Sequence, residues 1–246
     1  MNKKHQHTVT AFRPIVWITG ASKGIGKELA KQFASIGCNV ALSSRNGREL
    51  LKLEKEIILL GGIAKSFPCD VRIESSVLQA KKKIRREFGD VEVLINNAGV
   101  TVFTSVDKTS AQAFENIFSV NVRGIFFCVK AVVPSMMKNN NGWVINILSV
   151  AATKTFRNSS AYSASKAGAM MLGNVVREEV RGNNIRVVNV FPGATHTAMW
   201  SSADRKKYSQ RMMSAQSVAE CILQIYRFPS DVVCEEIVLR PMLGDI

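Results

Sequence analysis

The sequence predicts an α/β fold, a doubly wound parallel sheet of about seven strands flanked by helices. Three observations carry that prediction. Short apolar runs alternate with helix-patterned stretches along the chain. Most of the runs are nearly continuous rather than alternating, as expected of parallel strands covered on both faces. A glycine-rich turn, Thr19-Gly-Ala-Ser-Lys-Gly-Ile-Gly26, joins the first run to the first helix.

Taken in order, strands are expected at 15–19, 38–44, 64–68, 91–96, 142–148, 185–191 and 235–239. Ile15-Val-Trp-Ile18 leads into the glycine turn, and Lys27-Glu-Leu-Ala-Lys-Gln-Phe-Ala34 continues it as a helix. Val77 to Phe88 reads as a surface helix that buries Val77, Ile84 and Phe88 while its lysines and arginines face water. Two long helices are expected over Ala111–Met137 and Ala161–Arg181, the second rich in alanine, glycine and methionine. Strand–helix alternation with right-handed crossovers gives a Rossmann-type sheet whose ligand sits at the carboxyl ends of the strands. The segment from Ala194 to Arg211 has no strand pattern, carries Met199 and Trp200, and is read as a lid over the site. His196, within that loop, is expected at the surface.

A chain of 246 residues fits one domain. Residues 1–13 form a polar lead-in without an apolar signal core and are read as a flexible arm; 14–246 is the single domain. The longest apolar runs are too short to span a bilayer. Cys38, Cys69, Cys128, Cys221 and Cys234 are scattered without paired spacing. They read as free thiols in a reducing, cytoplasmic compartment, with no metal site. The formal charge of +14 is densest at Lys81–Arg86 and Arg205–Lys207. No nucleic-acid motif accompanies these runs, so neither nucleic acid nor membrane is expected as a partner. Attraction of a polyanionic cofactor or an acidic carrier accounts for such charge better.

The chemistry begins with Tyr162 and Lys166. A step of four residues on a helix brings both side chains to one face. A phenol holds its proton to a pKa of about 10, and a neighbouring ammonium favours the phenolate, so the pair is a proton-transfer device. The glycine turn lets backbone approach a phosphate, while the amides and positive end of the following helix hold the charge. Its spacing, Gly-x-x-x-Gly-x-Gly, differs from the Gly-x-Gly-x-x-Gly of the commoner dinucleotide fingerprint.

With Thr19–Gly26, Asn96-Asn-Ala-Gly99, Asn121, Ser149, Tyr162-x-x-x-Lys166 and Pro192-Gly193 in that order, the chain resembles the short-chain dehydrogenase/reductase family in its single-domain branch. Finer likeness runs to bacterial sepiapterin-reductase-like and 3-oxoacyl-carrier-protein-reductase-like members. The resemblance implies the strand order 3-2-1-4-5-6-7 and catalytic roles for Asn121, Ser149, Tyr162 and Lys166. Tyr162 would donate the proton, Ser149 polarise the carbonyl, and Lys166 lower the tyrosine pKa and hold the nicotinamide ribose. Asn121 would hold a water leading to Lys166. It implies a cofactor site formed by Gly20, Ser22, Lys23, Gly24, Ile25, Gly26, Ser44, Arg45, Asp70, Val71, Asn97, Ala98, Gly99, Tyr162, Lys166, Pro192, Gly193, Thr195 and Thr197. It also implies a homodimer or homotetramer built on the two long helices.

Charge selects between the two nicotinamide cofactors. Ser44 stands where relatives that select NAD carry an acid, Arg45 follows, and Lys23 lies in the glycine turn. Two cations without an acid suit a 2′-phosphate, so NADPH is expected over NADH. The expected function is reduction of a ketone to an alcohol. The competing expectations are a regulatory protein that senses NADP with the same fold, and an NAD-dependent alcohol dehydrogenase running in the opposite direction. A β-ketoacyl thioester, a pterin side-chain diketone and another small ketone all remain open as substrates.

Overall fold

A computed structural model describes residues 13–246; apart from Arg13, the arm expected over 1–13 lies outside the described residues. The elements are β1 (Ile15–Thr19), α1 (Gly24–Ser35), β2 (Asn39–Ser43), α2 (Gly47–Leu59), β3 (Ile63–Ser66), α3 (Glu74–Glu87), β4 (Val93–Asn96), α4 (Ala111–Phe118), α5 (Gly124–Asn139), β5 (Gly142–Ile147), α6 (Ser160–Val180), β6 (Ile185–Pro192), α7 (Ser202–Lys207), α8 (Ala215–Tyr226) and β7 (Glu236–Leu239). The seven strands are all parallel in the order β3-β2-β1-β4-β5-β6-β7, as the family resemblance implied.

Continuous apolar runs became strands because both faces of the sheet are covered. On one side Trp17, Leu94, Val144 and Val187, aligned across β1, β4, β5 and β6, pack with Val77 and Ile84 of α3, Val132 of α5 and Val176 of α6. On the other side Val16, Ile18, Val93 and Ile145 pack with Leu29 and Phe33 of α1, Leu50 and Leu53 of α2, and Ile222 of α8. The expected helix over 77–88 begins earlier, at Glu74, and buries Val77 and Ile84 as expected, with Phe88 packed at the margin of the core.

Polar side chains lock the carboxyl ends of the strands. Trp17 Nε1 donates to Ser43 Oγ (2.9 Å), which donates to the Phe67 carbonyl (2.7 Å). Three asparagines at one level of β4, β5 and β6 form a buried amide ladder. Asn96 Nδ2 donates to Asn146 Oδ1 (2.9 Å), Asn146 Nδ2 to Asn189 Oδ1 (3.0 Å), and Asn189 Nδ2 to Asn174 Oδ1 on α6 (2.9 Å). Buried amides that leave a partner unmet are costly, so the ladder ties α6 to one register against the sheet.

The helix expected over 111–137 is not uniform. A π-helical turn at Ser119–Arg123 separates α4 from α5, and Asn140 at φ +48° ends α5 in the left-handed region. Such turns inside α-helices frequently sit at functional sites. As one run, 111–139 is long and apolar enough to cross a membrane, a property that the lengths of the uninterrupted apolar runs did not reveal. Here Ile117, Ile125, Cys128, Val129, Val132 and Met136 are buried within the fold, giving the run the position of a core helix.

Candidate active site

A cleft of about 1140 Å³ runs along the carboxyl ends of the strands, from Arg45 at one end to Tyr162 and Trp200 at the other. Its floor is the junction of β1 and β4. Thr19 Oγ1 accepts from the amides of Asn97 (3.1 Å) and Ala98 (3.2 Å), while Asn97 Nδ2 donates to the carbonyls of Thr19 (3.1 Å) and Gly20 (3.0 Å). Gly20 has φ +64°, and a Cβ there would lie 2.8 Å from Ala98 Cα; only glycine fits both the turn and the contact. Gly26 is not among the residues lining the cleft; a Cβ on it would run into the Asn97 amide and come within 2.6 Å of the Gly20 carbonyl, so a glycine here lets α1 seat against the ends of β1 and β4.

Most expected cofactor residues do line the cleft: Gly20, Ser22, Lys23, Gly24, Ile25, Ser44, Arg45, Asp70, Val71, Asn97, Ala98, Gly99, Tyr162, Lys166, Pro192, Gly193, Thr195 and Thr197. Lys23 and Arg45 are exposed at its rim, and among the described residues neither is in a salt bridge. Glu49 shares that rim, but Lys52 Nζ holds its carboxylate at 2.8 Å. The Asp70 carboxylate is gripped by Arg72 (2.6 Å), whose hydrogen bonds hold it below the usual carboxylate range.

At the other end Ser149 follows β5. Its Oγ accepts from the Ala151 amide (3.1 Å), which leaves the hydroxyl proton available to donate elsewhere. Tyr162 is 6% exposed, and burial pushes its phenol up to about 12, opposed by the neighbouring Ser149 hydroxyl. Lys166 is 3% exposed and its Nζ donates to the Ile147 carbonyl at 2.9 Å. That ammonium sits 5.8 Å from the centre of the Tyr162 ring. Burial therefore sets the direction of the Tyr162 shift, upward, against the lowering expected from Lys166, and the phenol stays protonated at neutral pH. A protonated phenol is the state a proton donor needs.

Asn121 lies in the π-helical turn. It is fully buried, with Oδ1 accepting from the Val100 amide (2.9 Å) and Nδ2 donating to the Val100 carbonyl (2.9 Å) and Ser165 Oγ (3.0 Å). One Oδ1 lone pair stays unused, and the three bonds fix the chain after Gly99 against α6 from the π-helical turn.

Burial pushes the Lys166 ammonium down to about 8 from the usual 10.5. Below about pH 8 the fold must hold a buried charge, which opposes folding. Between about 8 and 10.5 the folded chain releases its proton before the unfolded chain does, so stability from this group rises with pH across that window. Lys166→Met should therefore raise stability at pH 7, on the order of 2 kcal/mol, with the gain shrinking towards pH 10. Thermal unfolding at several pH values checks this; a loss of stability at pH 7 contradicts it.

The lid is anchored at its base, where Met213 N donates to the Ala194 carbonyl (2.9 Å) and His196 N to the Met213 carbonyl (2.8 Å). His196 itself is exposed, as expected. The lid carries a short helix, α7, and lies over the Tyr162 end: the Tyr162 hydroxyl points to Met199 Sδ at 3.9 Å, and Trp200 packs on Phe103 with ring centres 5.7 Å apart. Phe103 meets Tyr162 edge-on at 6.1 Å. Phe103, Phe156, Tyr208 and Asp245, all lining the cleft, had no motif or periodicity to single them out in the sequence.

Known proteins match this arrangement. Residues 14–208 fit the family model described as short chain dehydrogenase. Sepiapterin reductase of Chlorobaculum tepidum is 35% identical over 242 residues, covering 96% of this chain and 99% of that protein. An uncharacterized oxidoreductase of Staphylococcus saprophyticus is 28% identical over 226 residues, with 92% and 96% covered. An alcohol dehydrogenase from the archaeon Thermococcus sibiricus, solved with 5-hydroxy-NADP, has a TM-score of 0.87 at 26% identity, covering 96% of this chain and 99% of that one. A metagenomic short-chain oxidoreductase in complex with NADP has a TM-score of 0.82 at 27% identity, covering 94% and 98%.

Proposed function

Because the chain belongs to the short-chain dehydrogenase family and is an oxidoreductase of that family, we propose that it reduces a carbonyl compound to an alcohol using NADPH. The observation that carries this reading is the convergence of Tyr162, the Ser149 hydroxyl and a buried Lys166 at one end of a cleft whose other end offers Lys23 and Arg45. The site fits the cofactor by shape and chemistry. Gly20 and Gly24 leave room beside the first-turn amides of α1 for a pyrophosphate, and two cations wait at the rim for a 2′-phosphate.

When bound, the nicotinamide supplies the hydride. Ser149 donates a hydrogen bond to the substrate carbonyl oxygen and polarises it. Tyr162 gives its proton to the same oxygen as negative charge develops there. Lys166 holds ribose hydroxyls and keeps a positive charge beside the phenolate that remains. Asn121 acts as a positioning residue, holding Gly99 and Val100 beside Lys166.

The aromatic and sulfur-containing wall of Phe103, Phe156, Met199, Trp200 and Tyr208 favours a flat, largely apolar substrate over a short polar one. The likeness to a sepiapterin reductase supports a flat ring bearing a ketone side chain, although a pterin ring is polar rather than apolar. The protein works in the cytoplasm as a homodimer or homotetramer. Exposed Phe114, Phe126, Met171 and Val175 on α4, α5 and α6 support the assembly. The test is a panel of aryl and aliphatic ketones, followed by the loss of NADPH absorbance. Aryl ketones should be consumed with the higher kcat/KM, and a preference for small aliphatic ketones contradicts the substrate class.

A further inference from the structure

The segment that leaves β7 does not trail away from the molecule. It begins against the cofactor wall, where a Cβ on Gly193 would lie 3.2 Å from Pro241 Cδ and 3.4 Å from the Leu239 carbonyl. The Gly244 amide then donates to the Pro241 carbonyl (2.9 Å), with Gly244 at φ +78°, a turn that needs glycine. This turn delivers Asp245 to the mouth of the cleft, which it lines.

Asp245 joins three separate parts of the site. Arg240 grips its carboxylate with two donors, Nε to Oδ1 at 3.1 Å and Nη2 to Oδ2 at 2.7 Å. Lys154, in the loop after the 3-10 turn that follows Ser149, reaches Oδ2 at 3.5 Å. Arg211, two residues before Met213 in the paired base of the lid, donates from Nη2 to the carbonyls of Asp245 (2.9 Å) and Leu243 (3.4 Å). The strap over 240–245 thus links the exit of β7, the loop after Ser149 and the lid that rests on Tyr162.

We propose that Asp245 is a specificity-determining positioning residue: through the strap it sets how far the lid carrying Met199 and Trp200 swings from Tyr162, and so the size of carbonyl substrate admitted. The substrate part rests on the carbonyl-reductase reading above; the lid part does not. The two ends of the lid are paired through Ala194, His196 and Met213, and the strap braces the C-terminal end through Arg211. Loosening it enlarges the mouth without touching Ser149, Tyr162 or Lys166.

The experiment compares the wild type with Asp245→Ala, Arg211→Ala and the double variant by hydrogen–deuterium exchange over residues 197–211 in the free protein. Turnover of a small and a bulky aryl ketone is measured in parallel. Exposed ion pairs are individually weak, so each single change should speed lid exchange roughly threefold and the double change about tenfold. The ratio of kcat/KM for the bulky ketone to that for the small one should rise about tenfold, through KM more than kcat. Asp245→Asn, which keeps the shape but weakens the grip of Arg240 and Lys154, should fall between wild type and Asp245→Ala. Unchanged exchange in a folded double variant overturns the proposal, and so does faster exchange with an unchanged substrate ratio. If Asp245→Ala fails to fold, Arg211→Ala decides the same question from the lid side. If the wild type turns over no ketone, the functional reading fails while the exchange still decides whether the strap holds the lid.

Discussion

Tyr162→Phe is expected to lower turnover by about a hundredfold or more while the protein folds and binds NADPH as before, since general acid catalysis contributes about 10²–10⁴. The change removes only the hydroxyl. The ring keeps its contacts with Phe103 and its place above Lys166, so neither the fold nor the cofactor cleft loses packing. In the resting structure the hydroxyl meets the Met199 sulfur at 3.9 Å and the neighbouring Ser149 hydroxyl, contacts whose loss the fold tolerates. Its value lies in the proton, which burial holds to about 12 and which has an acceptor once a carbonyl oxygen displaces Met199. A loss below tenfold, with the chemical step rate-limiting, removes Tyr162 from the role of proton donor.

The second large effect concerns the choice of cofactor. Arg45→Ala should weaken NADPH binding about tenfold and barely change NADH, because a charge-assisted hydrogen bond to the 2′-phosphate is lost only for the former. Lys23, on the same rim, offsets part of that loss, so the Lys23→Ala and Arg45→Ala double change should approach a hundredfold. Titration of each cofactor by fluorescence separates the cases. Equal losses for both cofactors mean that these cations read the shared pyrophosphate. Stronger binding of NADH by the unaltered protein overturns the cofactor assignment.

Much of this site was legible because its parts are local. A glycine turn between strand and helix, an Asn-Asn-Ala-Gly strand end, and a tyrosine and lysine four apart each fit within a few residues, and the parallel sheet brings them to one edge. Strand positions followed from apolar runs, with β2, β3, β4, β5 and β7 shorter than expected by one to two residues and β6 longer by one. What the sequence hid depends on long-range packing. Whether Lys166 or burial controls the Tyr162 phenol is a balance set by the depth of the pocket. The bonds of Asn121 to Val100 form only when the loop at Val100 folds onto it. The π-helical turn that aims it leaves no mark in a hydrophobic pattern. Phe103, Tyr208 and Asp245 come from three separate stretches of chain and meet only at the mouth of the cleft.

The most direct test of the central claim is transfer of label from NADPH deuterated at the reactive nicotinamide carbon to an aryl ketone, read by mass spectrometry of the product. The expected product is an alcohol carrying one deuterium on the former carbonyl carbon, formed by the wild type and suppressed in Tyr162→Phe. Tight NADPH binding with no labelled alcohol from any ketone of the panel would contradict it and favour a protein that senses the cofactor without using it.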